Sequence, residues 1–180
     1  TGSTATGKKI MEGASKHLKR ITLELGGNDA SIVLPDADVE KVAEQLFWSS
    51  FTNAGQICVA AKRVYIHEDI YDDLSQAIAD YAKNVKVGDG SQQGTAVGPV
   101  QNKKQYDRVL ELVQDAKDNG YKFLLGGDTD PSGTGYFVPI TILDNPPEDA
   151  RIVAEEQFGP VMPLMKFSTD EEVITRANNS

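Results

Sequence analysis

The sequence predicts an α/β fold, a mostly parallel open sheet with flanking helices. Two observations carry this expectation. Segments with helical periodicity alternate with short extended apolar runs, and turns rich in Gly, Asn and Asp separate them. The composition, 39% hydrophobic and 25% charged with 16 glycines in 180 residues, is that of an ordinary globular domain long enough to bury roughly 70% of its unfolded surface.

The elements follow in chain order. A loop from Gly2 leads into a helix whose Ile10, Met11, Ala14 and Leu18 are spaced for one apolar face. Ile21–Leu25 then alternates as a strand ended by Gly26-Gly27, which places Glu24 at a strand's carboxyl end, where open α/β sheets bind ligands; a solvated strand end is the plain alternative. A short apolar run, 30–34, precedes Asp36 and Asp38, either of which can cap the helix carrying Val39, Val42, Ala43, Leu46, Phe47 and Ser50. Trp48 and Phe51 flank that stripe and read as core. A strand is expected at 63–67, then a helix with Ile70, Leu74, Ile78, Tyr81 and Val85 that stops near Gly88. Residues 88–99 form the longest loop. Pro99 can open a helix with Tyr106, Val109, Leu110, Val113 and Ala116, closed by Asn119-Gly120. Strands are expected at 122–125, 136–143 and 161–167, the last two troubled by Pro139 and Pro163, with a polar loop over 126–135. Thr169-Asp170-Glu171-Glu172 is a capping box for a final helix with Val173, Ile174 and Ala177.

The totals exclude some functions. A formal charge of −9, without clustered Lys and Arg, disfavours a nucleic-acid partner. One cysteine forms no internal disulfide and no apolar run approaches a membrane span, so a soluble, intracellular, cytoplasmic protein is expected. His17 and His67 belong to no ligand set, read as polar surface residues, and imply no metal. Both ends look cut: the chain starts Thr1-Gly2-Ser3-Thr4, and its last helix stops at Asn178-Asn179-Ser180.

The chemistry centres on Phe51–Lys62, which holds the single Cys58 behind a Gly55-Gln56 turn. An isolated cysteine often packs as a small hydrophobe; as a thiolate it attacks carbonyl carbon, given a lowered pKa or a nearby base. No His lies near it in sequence, which makes a Cys-His hydrolase less attractive. Glu24 offers a carboxylate able to activate water against a thioester. Gly2-Ser3-Thr4-Ala5-Thr6-Gly7-Lys8-Lys9 combines glycine, hydroxyls and a helix start, a setting that attracts phosphate; a plain helix cap at Ser3 is the alternative. It nearly matches the phosphate loop of nucleoside triphosphatases, but Lys9 stands where that pattern needs Ser or Thr.

Three motifs in this order, Thr22-Leu23-Glu24-Leu25-Gly26-Gly27, Phe51–Lys62 and Glu155-Glu156-Gln157-Phe158-Gly159-Pro160-Val161, resemble the NAD(P)-dependent aldehyde dehydrogenases over the whole chain. The resemblance implies a catalytic Cys58 that adds to an aldehyde, an oxyanion held partly by that residue's own N–H, hydride transfer to NAD or NADP, and hydrolysis of the acyl thioester by water activated by Glu24. It implies cofactor contacts at Gly2 and Ser3 beside the pyrophosphate, at the Leu25 carbonyl with the nicotinamide amide, at Glu156 with the nicotinamide ribose, and at Phe158 beside the ring. Without it, Glu155 and Glu156 read as surface charge and Phe158 as core.

The same resemblance implies residues 1–30 as the end of the cofactor-binding domain and 31–180 as a catalytic domain truncated at its C-terminus. The family's asparagine oxyanion donor and its adenosine-ribose ligands are expected in a segment before Thr1, and the family's Lys after Leu-Gly-Gly is Asn28 here. Expected partners are a small-molecule aldehyde, no nucleic acid, no membrane, and like subunits in a homo-oligomer of the full-length protein. A second reading is a folded but catalytically incompetent piece with a structural or interaction role; triphosphate hydrolysis at Gly2–Lys9 is a third.

Overall fold

Asp29–Val33, Ala61–His67, Lys122–Leu125, Thr141–Asp144 and Val161–Phe167 form β1 to β5 of one sheet, in a computed structural model that describes residues 1–128 and 133–180. The order is β1-β2-β5-β4-β3; the first four run parallel and β3 lies antiparallel on β4 at one edge. Helices α1 (Thr4–Ser15), α2 (Val39–Phe51), α3 (Glu68–Lys83), α4 (Lys103–Asp118), α5 (Arg151–Ala154) and α6 (Asp170–Ala177) complete the chain.

A parallel sheet buried on both faces needs apolar residues at successive positions, and β2 and β5 supply them. Val64, Ile66, Met162 and Leu164 pack on one side with Leu46, Phe47, Leu74 and Ile78 of α2 and α3. Tyr65, Met165 and Phe167 point to the other side, against Val109, Leu112 and Val113 of α4, Ile152 of α5 and Val173 of α6. Each fully buried large side chain contributes about 1.5–3 kcal/mol of burial. The caps agree with the sequence: Asp38 accepts from Lys41 N–H at 3.2 Å, and Thr169 from Glu172 N–H at 3.2 Å, while Glu172 returns to Ser168 N–H at 3.0 Å.

Several expectations are corrected. Among the described residues, 21–25 pair with no strand; the Glu24 carbonyl accepts from Gly2 N–H at 3.0 Å, and Glu24 lies in a loop. Extended sequence makes a strand only where a ladder partner runs alongside. The apolar face of α1 is exposed at Ile10 and Met11, and Leu18 lies beyond the helix in a left-handed turn. Helix α3 ends at Lys83 with Asn84 as its C-cap, earlier than Gly88, and α4 is opened by Asn102 accepting from Gln105 N–H at 2.9 Å, not by Pro99. The strand expected over 136–143 is confined to β4, beginning after Pro139. His67 is only partly at the surface: its Nδ1 caps α3 by accepting from Asp69 N–H, while its ring stacks edge-on against Phe167. Residues 129–132 of the expected polar loop lie outside the described residues.

Pro163 does occupy an interior strand. Leu164 O accepts from Asn145 N–H, so that residue's backbone groups face β4 and those of Pro163 face β2. The β2–β5 pairing begins only at Val64 and Leu164, so the missing N–H falls just before the ladder starts.

Candidate active site

Three loops enter β1, β2 and β5 at the amino-terminal edge of the sheet, and with the starts of α1 and α4 they line one cavity of about 820 Å³. Gly2, Ser3, Glu24, Leu25, Cys58, Glu156 and Phe158 all line it. The sequence pointed to the carboxyl end of a strand for Glu24; the cavity instead sits where strands begin, which makes the entering loops its builders.

The cysteine loop is the most contorted of these. After α2, Asn53 (φ 54°), Ala54 (φ 57°) and Gly55 (φ 70°) are left-handed in succession. A side chain at Gly55 would collide with the Gly159 carbonyl of the β5 loop, so the two loops touch backbone to backbone. Gln56 then ties the turn to the chain ahead of α4. Its Oε1 accepts from Gln101 N–H at 2.7 Å, and its Nε2 donates to the carbonyls of Asn53 and Pro99 at 2.9 and 3.2 Å. Cys58 emerges half-buried as a free thiol.

Gly26 and Gly27 fit for lack of side chains. A Cβ on Gly26 would overlap the Glu156 carboxylate, and one on Gly27 would lie 2.6 Å from the Cys58 carbonyl oxygen. Glu156 Oε1 accepts from Gly27 N–H at 3.1 Å and lies 3.5 Å from Lys62 Nζ, which also donates to the Cys58 carbonyl at 2.7 Å. Phe158, at φ 46°, is held by its neighbours: Gln105 Nε2 donates to the carbonyls of Gln157 and Phe158 at 2.9 and 3.2 Å, and the Gln157 side chain is buried under Ile152 and Lys62 carbonyls. Glu155 turns away from Glu156 into a network with Arg108 and Arg151. One acidic residue is thus structural and the other faces the cavity.

Ser3 is the N-cap of α1, accepting from Thr6 N–H at 3.3 Å, and the amide of Gly2 is engaged with Glu24. The cap reading of Ser3 therefore holds, and Ser3 also lines the cavity. Lys62, Lys104, Gln105 and Arg108 line or support the cavity without a motif that marks them in the sequence. Lys104, Gln105 and Arg108 occupy the polar strip of α4, where a cavity wall and a solvated face have the same pattern.

The aldehyde dehydrogenase family model matches residues 1–180. The chain belongs to the aldehyde dehydrogenase family. A probable aldehyde dehydrogenase of Pseudomonas is 49% identical over 178 residues, covering 99% of this chain and 36% of the relative. A D-glyceraldehyde dehydrogenase (NADP(+)) of Picrophilus torridus is 41% identical over 184 residues, covering 100% of this chain and 37% of its own. The NAD+ complex of the Bacillus cereus aldehyde dehydrogenase superposes with a TM-score of 0.94 at 42% identity, over 99% of this chain and 36% of that one. The chain thus spans just over a third of the length of these relatives. The sheet and its helices match solved members of the family.

Within an aldehyde dehydrogenase frame the cavity offers a thiol, a carboxylate exposed at its wall, and a second carboxylate held by an amide and an ammonium. The half-buried Leu25 and Phe158 give it apolar surface, and Lys104 gives positive charge, while the Arg108 guanidinium at the wall is paired with Glu155 and Glu111. That combination suits a dinucleotide, which presents a flat ring, ribose hydroxyls and phosphates. No helix among the described residues is long and apolar enough to cross a membrane.

Proposed function

We propose that this chain carries the reacting groups of an NAD(P)-dependent aldehyde dehydrogenase that oxidises an aldehyde to a carboxylic acid. The observation behind the proposal is the single cavity in which Cys58, Glu24, Leu25, Glu156 and Phe158 converge from three separate loops. Residues 1–30 then form the end of a cofactor-binding domain and 31–180 the bulk of a catalytic domain.

Cys58, as the thiolate left when its proton passes to solvent water, adds through Sγ to the aldehyde carbonyl carbon, and the new oxyanion takes a hydrogen bond from the Cys58 N–H. When bound, NAD(P) supplies the acceptor for the hydride that leaves that carbon, which becomes a thioester on Cys58. Glu24 takes a proton from water, the water oxygen replaces sulfur on the acyl carbon, and the thiol returns with a proton. Glu156 would bind the ribose hydroxyls, the Leu25 carbonyl would orient the carboxamide, and Phe158 would pack beside the ring. Gly2 and Ser3 would flank the pyrophosphate, with Lys104 adding positive charge.

The test is nicotinamide reduction with an aldehyde panel and NAD and NADP in turn, with Cys58→Ala as control. Reduction by the wild type, lowered at least about 10³-fold in the variant, is expected for a lost nucleophile. Reduction that survives in Cys58→Ala would sink the assignment. A folded chain that binds neither cofactor points instead to the structural, catalytically incompetent reading.

A further inference from the structure

Lys62 is almost wholly buried, 3% exposed, at the second residue of β2. A buried ammonium persists only with partners that replace water. Its two partners belong to different loops of the cavity: the Cys58 carbonyl at 2.7 Å and the Glu156 carboxylate at 3.5 Å, whose side chain is 29% exposed. The Gly27 N–H holds the same carboxylate oxygen, and Gly27 itself leaves no room for a side chain beside the Cys58 carbonyl. The two loops therefore meet at one point charge behind the cavity wall. Lys62 does not line the cavity, so it acts only through the groups it holds.

We propose that Lys62 is a positioning residue that fixes the Cys58 loop and the Glu156 carboxylate against each other, so that cofactor binding and nucleophile presentation depend on one buried ammonium. The proposal rests on the dehydrogenase reading above and adds to it a residue in contact with neither aldehyde nor cofactor. Its consequence is coupling. Without the ammonium, Glu156 keeps only an amide donor and is free to turn toward solvent, while the Cys58 carbonyl loses its donor and its loop loses a restraint.

The experiment uses the full-length protein with Lys62→Met, which keeps an unbranched side chain one atom shorter and removes the charge. Two quantities are read: the KM for the nicotinamide cofactor, and the rate at which iodoacetamide alkylates Cys58 without cofactor. Both are expected to move, the KM upward about tenfold and the alkylation rate by threefold or more. If either stays within twofold of the wild type, one ammonium does not serve both loops and the proposal is overturned. A double-variant cycle separates positioning from general damage. In a Glu156→Gln background, Lys62→Met should leave the cofactor KM unchanged within twofold while still shifting alkylation; fully additive KM effects overturn the coupling. Should Lys62→Met not fold, Lys62→Gln is read by the same two limits. A wild type that reduces neither NAD nor NADP with any aldehyde overturns the dehydrogenase reading instead, while the alkylation readout still decides whether Lys62 restrains the Cys58 loop.

Discussion

Residues 29–180 and residues 1–28 are held in place by different means. The first group has two apolar cores, one on each face of a five-stranded sheet. In the second, Gly7 alone is buried, where it packs against the side chain of Leu25, and Ile10, Met11 and Leu18 are exposed. Yet nearly half of the cavity wall comes from this short segment, through Thr1, Gly2, Ser3, Thr6, Glu24, Leu25 and Gly26. The contrast separates two requirements of a site. The sheet fixes Cys58 and Glu156 by burial behind them, whereas Glu24 and Ser3 are fixed by a few hydrogen bonds and by close backbone approach at Gly26 and Gly27.

The largest expected effect tests that difference in stability. Phe47→Ala removes a ring with no exposed surface and should cost about 3–5 kcal/mol. Met11→Ala, on the exposed face of α1, should change stability by less than about 0.5 kcal/mol. Urea titration followed by the single Trp48 reads both. A loss at Met11 comparable with that at Phe47 would show that α1 is part of the same packed unit.

Alkaline pH sharpens the comparison, because all six tyrosines lie in residues 29–180. Burial, then the hydrogen bond to Glu148 and that residue's charge, pushes Tyr65 from 10.0 up to about 12; Tyr71 is raised by burial first and then by its hydrogen bond to Asp144. Below pH 10 both folded and unfolded chains keep the Tyr65 proton. Between 10 and about 12 only the unfolded chain loses it, so the stabilisation it represents, roughly 2–3 kcal/mol, is lost as pH climbs through that window. Tyr65→Phe should flatten this stretch of the stability curve. Phenolate absorbance for Tyr65 in the folded protein near pH 10 would count against its burial behind the sheet.

The sequence made the packed region legible and the site only partly so. Val39, Leu46 and Phe47 at helical spacing, and Thr169 with Glu172, encode their elements within a few residues, so α2 and α6 are found where the pattern puts them. The segment 21–25 also carries its pattern locally, but a strand requires a neighbour, and alternation cannot supply one. The motifs around Glu24, Cys58 and Glu156 marked the cavity through family resemblance. Lys62 carried no such mark: a lysine beside Arg63 at a strand start reads as solvated charge until the fold shows both buried. The same holds for Gln105 and Arg108, whose side of α4 differs from a surface only through what stands opposite.

The smallest effect decides whether residues 1–28 form a unit of their own. Ser3 caps α1 by accepting from Thr6 N–H, and removing such a cap costs about 1 kcal/mol. If α1 opens independently of the sheet, Ser3→Ala should speed amide exchange across Thr4–Ser15 about fivefold and leave the urea midpoint reported by Trp48 unchanged. The expected independence follows from the packing: Gly7 of α1 lies against Leu25, the Gly2 N–H ahead of the helix bonds to the Glu24 carbonyl, and no residue of 1–28 belongs to either core. A midpoint that falls together with α1 protection would mean that these two contacts transmit stability to the sheet. The wall of the cavity that holds Glu24 would then be as firmly set as the wall that holds Cys58.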